Sequence, residues 1–484
     1  MSQFALRDCQ KPLVDLMTRM PRGNLFASPG TGKTSATLMA ISSMSLYEDV
    51  FPVLVVAPLR VANMVWGSEC EQWDQFRHMK VAEITGPLAK RRAALKSRAD
   101  IYTINYENLA WLHEELDGKW PFRMVVADES TKLKNHRVHF SRHHKTGKIY
   151  QVVDSHSKNA AALVRHAKDT PFWYNLTGTP AANGLTDLWA QQWPIDFGRA
   201  LGNSFAAFKQ RWFRIRFGSD PKHNILDPLD HAQDEITERL RATTAVVDAY
   251  DYFDVKKAVE LDVMVNLPAN VRKQYDRIHN DSILELTKMD TVTAVNMGSA
   301  VMKCRQIASG CVKDDDGKWH TLHTEKLAAV DEIREKIGNE NLVIAYWFQH
   351  DLQALQQHIP EAVALPSGAN QRKVVDDWNS GKIPVLLVHA QSAGHGLSLQ
   401  HGGRHLVIYT QDWNAEYYAQ VIDRLGPIRQ AQSGYDRLVY IHRIIAKNTW
   451  EELVAKRQQG KLTLDQAVKR AVGMTRSHSR SSAP

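Results

Sequence analysis

Short, uninterrupted apolar runs followed by helical patterns dominate both halves of the chain. In the first half these runs fall at 24–27, 53–57, 100–104, 124–127 and 172–176. In the second half they fall at 342–347, 385–389, 405–409 and 438–444. Runs of this length that alternate with helices predict parallel sheets buried on both faces. The fold class expected is therefore α/β, as two units of similar size. Between them, over about 193–319, strand signals thin out, and 205–213, 236–247 and 270–289 read as helices. The stretch 138–153 (VHFSRHHKTGKIYQVV) has a Thr-Gly turn between apolar-containing arms and predicts a hairpin insertion. The small, polar, basic tail after Gly473 predicts disorder. The division expected is 1–195 for an N-terminal lobe, 196–318 for helical protrusions and a bridge, 319–460 for a C-terminal lobe, and 461–484 for a tail.

One loop carries clear chemistry. Ala27-Ser28-Pro29-Gly30-Thr31-Gly32-Lys33-Thr34 lies between the run at 24–27 and a helical pattern over 35–44. Glycines let the backbone turn so that successive N–H groups face a phosphate, and the helix adds its positive N-terminus. Pro29, Gly30, Thr31 and Gly32 would form the cradle. Lys33 would reach the β- and γ-phosphates of ATP, and the Thr34 hydroxyl would hold Mg²⁺. The first glycine usual in such loops is Ala27 here. The ordinary alternative is a strand–turn–helix corner with no ligand, and the flanking elements favour the phosphate loop.

The run at 124–127 ends in Asp128-Glu129. In an open parallel sheet, ligands bind beyond the carboxyl ends of the strands, where this pair would lie. Asp128 would hold Mg²⁺ and Glu129 would orient or deprotonate an attacking water. Alone, an acidic pair after a strand is most often a solvated loop; the loop at Lys33 reverses that balance. The assignment requires the two strands to lie together in the sheet.

Further motifs follow in order. Ser130-Thr131-Lys132-Leu133-Lys134-Asn135 succeeds the acidic pair, and Leu176-Thr177-Gly178-Thr179-Pro180-Ala181-Ala182-Asn183-Gly184-Leu185 precedes Asp187-Leu188-Trp189. The second half has Ala393-Gly394-His395-Gly396-Leu397-Ser398-Leu399, then Asp412-Trp413-Asn414, Gln420-Val421-Ile422-Asp423-Arg424 and Thr449-Trp450-Glu451-Glu452. This succession resembles the superfamily-two helicases, and within them the Swi/Snf family of DNA translocases, from about Leu6 to Glu452. The resemblance implies two RecA-like lobes with ATP and Mg²⁺ in the cleft between them. It implies adenine contacts from Arg7 and Gln10, nucleotide contacts from Gly396 and Gln420, and coupling through Thr177 and Thr179. An arginine on the transferring phosphate would come from Arg424 or Arg429. The family's second arginine falls on Pro427, so which of the two serves is open. Ser130-Thr131 and Ser398 also depart from the family's usual residues.

Composition narrows the partners. The 484 residues include 43% hydrophobic and 24% charged ones, with a formal net charge of +8. That charge favours a polyanion, though only weakly. The resemblance implies phosphate-backbone contacts from Arg60, Asn105, Tyr106, Lys132 and Lys134 in the first half, and from Gln391, Ser392 and His395 in the second. DNA, as duplex, is the partner expected. The basic stretch 90–98 reads first as a solvated face, and Trp66 and Trp73 as core. Cys9, Cys70, Cys304 and Cys311 are too scattered for a disulfide framework or zinc site. No apolar run suits a membrane span, so a soluble, cytoplasmic protein is expected. The compact core suggests a bacterial or phage-infected cell, and a monomer is expected. The activity expected is DNA-dependent ATP hydrolysis with translocation. Two alternatives stay open: a strand-separating helicase that uses the 138–153 hairpin as a wedge, and a nucleotide-gated DNA-binding scaffold with little turnover.

Overall fold

The structure, a computed structural model, describes residues 3–134, 136–142, 146, 149–155, 158–182, 184–216, 225–288, 294–314, 316–366, 370–391, 397–411, 415–456, 458, 460 and 468. These form two compact units. The first is drawn from 3–216 and 225–252 together with Val468, and the second from 253–460.

The strands of the first unit are β1 (Arg22–Ala27), β2 (Val53–Ala57), β3 (Val81–Ile84), β4 (Ile101–Asn105), β5 (Met124–Asp128), β6 (His136–Arg142), β7 (Ile149–Ser155), β8 (Phe172–Thr177), β9 (Phe213–Arg216), β10 (Ile225–Pro228) and β11 (Thr244–Val247). Seven of them make a wholly parallel sheet in the order β11-β1-β8-β5-β2-β4-β3. Every residue of β2, β4 and β5 is buried, the signature of strands covered on both faces by helices. The core gathers large rings, among them Phe122, Trp173, Trp189, Trp193 and Trp212.

Two segments depart from expectation. The run 236–247, read as one helix, is a helix only over Ala232–Leu240; its β-branched end then forms β11 and pairs with β1 from Asn24↔Thr244 to Ala27↔Val247. The stretch 205–213 likewise ends its helix at Trp212, and β9 pairs antiparallel with β10. The hairpin predicted at 138–153 is present: β6 and β7 pair antiparallel, with Val138 opposite Val153.

In the second unit the strands are β12 (Val259–Val265), β13 (Cys311–Lys313), β14 (Trp319–Thr321), β15 (Leu342–Tyr346), β16 (Val363–Ala364), β17 (Val385–His389), β18 (His405–Ile408) and β19 (Tyr440–Ala446). Six make a second wholly parallel sheet, ordered β12-β19-β18-β15-β17-β16. The helices Ala269–Lys288 and Ala294–Ser309 precede most of it, close to the predicted helix at 270–289. No helix among the described residues is long and apolar enough to cross a membrane. The tail after Gly473 lies outside the described residues.

Candidate nucleotide-binding site

The loop after β1 has the conformation that its glycines permit. Gly30 and Gly32 adopt left-handed backbones, with φ of 80° and 77°. Ala27 is still in the strand, paired with Val247, so the position needs no glycine. The left-handed φ favours glycine at position 32, and a Cβ there would also fall 2.4 Å from Gln10 Nε2 and displace that amide. Lys33 opens the helix Lys33–Met44, and its ammonium turns back over the loop to donate to the Ala27 (2.9 Å) and Ser28 (3.5 Å) carbonyls. Thr34 follows on the helix's first turn. The Thr31 hydroxyl donates to the Ser28 carbonyl, 2.8 Å, closing the turn.

Gln10 docks against the back of this loop. Its Nε2 donates to the Gly32 carbonyl (3.0 Å) and lies 3.4 Å from Ser35 Oγ, while its Oε1 accepts from the Arg7 N–H at 2.9 Å. Arg7 itself is exposed. The two residues assigned to adenine by resemblance therefore lie beside the loop, with the Gln10 amide bonded to it.

The acidic pair stands at the carboxyl end of β5. Contrary to the requirement read from sequence, β1 and β5 are not neighbours. β8 lies between them, in register Phe26↔Thr177 on one side and Asp128↔Leu176 on the other. All three strands are parallel, so Lys33, Thr177 and Asp128 still meet at one edge. The Asp128 side chain is buried (8% exposed). Burial pushes its carboxyl above the usual carboxylate range, against the opposing pull of the Lys33 charge, the Trp66 indole and the Glu129 backbone N–H. Glu129 takes a left-handed conformation, φ 59°, which re-aims the chain after the strand. Thr177 Oγ1 accepts from the Thr179 N–H at 3.1 Å. Between them Gly178 packs so tightly that a Cβ would sit 3.0 Å from Pro29 Cδ. The threonine loop and the phosphate loop are thus in direct contact.

Some residues read from sequence as nucleic-acid contacts are buried here, and other residues join the site. Tyr106, read as a backbone contact for nucleic acid, is buried, and its hydroxyl donates to the Asp128 carbonyl (2.8 Å) and lies 3.2 Å from that of Glu129. It braces the acidic loop from below. Asn105 is buried too, donating to Glu107 and accepting from Asn108. Both sit at the end of β4 inside the unit, a position that motif order does not reveal. Lys132 lies over the Tyr106 ring, 5.9 Å from its centre, and Lys134 closes the following turn onto Thr131. Arg60 is on the first turn of the helix Leu59–Gln72, beyond the carboxyl end of β2. Trp66 is fully buried, as expected, yet it also belongs to the surroundings of Asp128. The basic stretch at 90–98 is a solvated face in which Arg92 pairs with Glu115. His136, first of the histidines in the hairpin, is buried at its base with Nδ1 2.9 Å from the Leu133 carbonyl, and burial holds its pKa down to about 4.

In the second unit, Gln391 follows β17, exposed, with its amide 3.4 Å from the Tyr417 hydroxyl. Ser392, His395 and Gly396 lie outside the described residues, as do Asn135, Asn183 and the segment 412–414. Gln420 and Arg424 are buried on the helix Ala415–Leu425. Gly426 ends that helix, and Pro427 starts a new one, Pro427–Gln432, which carries Arg429. The chain turns at Gly426, and Arg429 on the new helix reaches Asp423, at 3.2 Å. Asp423 also lies 3.8 Å from the Arg424 guanidinium, so one carboxylate gathers both arginines.

A phosphate-type loop and a buried carboxylate at the carboxyl edge of one parallel sheet, followed by a second parallel α/β unit, define a helicase-type ATPase core. Residues 10–313 match the family profile described as SNF2-related domain, and residues 325–429 match the helicase conserved C-terminal domain. The chain belongs to the SNF2-related family. It is 39% identical over 465 residues to protein p41 of Acyrthosiphon pisum secondary endosymbiont phage 1, covering 95% of this chain and 97% of that one. It is 26% identical to an ATP-dependent helicase of Mycoplasma genitalium, covering 91% of this chain but 40% of that protein. The chain thus spans nearly all of the phage relative and less than half of the mycoplasma one. A solved structure described as the Sulfolobus solfataricus SWI2/SNF2 ATPase core in complex with dsDNA aligns over 99% of this chain and 97% of its own, with 19% identity and a TM-score of 0.41.

Proposed function

We propose that this chain is an ATP-dependent DNA translocase. The observation that carries the reading is the meeting of Lys33 and Asp128 at one sheet edge, with the Thr177 loop between their strands and packed on Pro29. Lys33 neutralises the β- and γ-phosphates, and the amides of the glycine loop hold them. Glu129 orients the attacking water and takes its proton. Arg424 or Arg429, from the second unit, meets the charge that develops on the γ-phosphate.

The donor set suits Mg²⁺. Thr34 offers a hydroxyl and Asp128 a carboxylate, and among the described residues no group of three His, Cys, Asp or Glu could hold a metal ion. Mg²⁺ needs no such cage, since it keeps waters and takes phosphate oxygens as ligands. Bound there, it would neutralise charge on the triphosphate. Arg60, Lys132 and Lys134 supply backbone contacts to DNA, consistent with the net charge of +8. Successive nucleotide states then advance the protein along a duplex.

Triplex displacement tests movement without strand separation. With ATP the protein should release a third strand from duplex DNA, leave a forked duplex paired, and do neither as Lys33→Ala. Unwinding of the fork would favour the helicase reading, with the β6–β7 hairpin as wedge. ATP-dependent binding with no displacement of either substrate would leave the scaffold reading instead.

A further inference from the structure

Beneath the candidate site, the helix Thr186–Asp196 presents two glutamines, Gln191 and Gln192, to the sheet, and both are buried. A buried amide on a core-facing helix calls for an account of its hydrogen bonds. Gln191 Oε1 accepts from the Ser130 hydroxyl, 2.8 Å. Its Nε2 donates to the Pro180 carbonyl at 2.8 Å and to the Asp187 carbonyl at 3.1 Å. Its own backbone carbonyl accepts from Asn175 Nδ2 (2.6 Å), which also donates to Asn24 of β1 at 2.9 Å. One side chain therefore ties the residue after Glu129 to the end of the threonine loop, and that loop rests on Pro29 through Gly178.

We infer that Gln191 is a positioning residue that sets Glu129 according to the state of the phosphate loop. A shift of Pro29 displaces the Gly178–Pro180 loop, Gln191 follows the Pro180 carbonyl, and Ser130 carries the change to its neighbour Glu129. Ser130 is fully buried with its hydroxyl on Gln191, so the acidic loop is tied to that glutamine. The inference rests on the ATPase reading and adds a residue outside its motifs.

Three variants test it: Gln191→Leu, which removes both arms, Ser130→Ala, which removes one, and their combination. The readouts are kcat, the Kd of a fluorescent ATP analogue, and Tm. Gln191→Leu should lower kcat at least about tenfold, part of the roughly 10²–10⁴ that a positioned proton acceptor supplies, and leave the analogue's Kd within about threefold. Ser130→Ala should fall in the same direction, and the double variant should turn over no more slowly than Gln191→Leu alone, since both interrupt one path. If kcat, affinity and Tm decline in parallel, or if the two effects multiply, Gln191 merely braces the fold and the inference is wrong. Glu129→Gln and Lys33→Ala serve as controls: if neither slows turnover, the ATPase reading fails and takes this inference with it. If both slow it while Gln191→Leu and Ser130→Ala do not, only the inference fails.

Discussion

Removal of Lys326 should destabilise the second unit far more than its two hydrogen bonds suggest. Its ammonium lies 2.6 Å from Glu451 Oε1, and each side chain is 1% exposed. It also donates to the Tyr409 carbonyl at 2.8 Å, while Glu451 Oε2 accepts from the Ala446 N–H at 2.9 Å. At that separation the attraction is about 6 kcal/mol for an effective dielectric near 20. Desolvation of two ions offsets most of it, so the intact pair contributes little net stability. Lys326→Met leaves the Glu451 charge buried without its counter-ion and should cost about 3–5 kcal/mol. For a unit of this size that is a drop in Tm of roughly 6–20 °C. Lys326→Met/Glu451→Gln removes both charges and keeps an acceptor for Ala446, so it should be more stable than Lys326→Met alone. Calorimetry that resolves the second unit's transition, with denaturant titration beside it, measures these two variants and Glu451→Gln alone. A Lys326→Met loss under about 1 kcal/mol, or a double variant at the sum of the single ones, would refute the reasoning.

Three further outcomes follow from the first unit. Burial raises the Asp128 pKa, so its charge opposes folding above that raised value and not below the unfolded one. Asp128→Asn should therefore raise Tm at pH 7.5, lose that advantage near pH 3, and abolish ATP turnover; a lower Tm at pH 7.5 would show the carboxylate to be favourably held. Gly178→Ala puts a methyl 3.0 Å from Pro29 Cδ and should raise the KM for ATP several-fold with little change in Tm, measured by steady-state turnover. His136, held near pKa 4 by burial, stabilises the fold above its unfolded pKa of about 6.5 and loses that contribution as pH falls towards 4, up to about 3 kcal/mol. His136→Phe should flatten the acid limb of the stability curve by about one proton, and an unchanged slope would count against a neutral buried imidazole.

Much of this was legible in the chain because parallel strands covered on both faces carry unbroken apolar runs, as in Val53–Ala57 and at 124–127. The phosphate loop was legible because its turn needs left-handed glycines at fixed places. Strand order was not: nothing local to β1 or β5 says that β8 lies between them, since neighbours in a parallel sheet are set by crossovers. β11 was hidden because its Thr-Ala-Val-Val sequence continues an apolar pattern begun by a helix. Tyr106 and Asn105 were read from motif position as nucleic-acid contacts, whereas both are buried at the end of β4, Tyr106 against the acidic loop and Asn105 against Glu107 and Asn108. Gln191 carries no motif at all. The signal that could have exposed it is a polar pair among Trp189 and Trp193 on a helix whose other residues are core. The closing Thr449–Glu452 motif likewise has a structural meaning that spelling alone does not give: Glu451 faces Lys326, and Glu452 accepts from the Asn448 N–H.

The proposed mechanism stands on one chemical claim, that Lys33, Glu129 and an arginine of the second unit act on the same triphosphate. Single-turnover hydrolysis of ATP, with and without duplex DNA, tests it when run on the unmodified protein beside Lys33→Ala, Glu129→Gln, Arg424→Ala and Arg429→Ala. The account predicts DNA-stimulated turnover that falls at least about a hundredfold in the first two variants and in at least one arginine variant, with nucleotide still bound by Glu129→Gln. Turnover that is indifferent to DNA, or that neither arginine substitution slows, would contradict it.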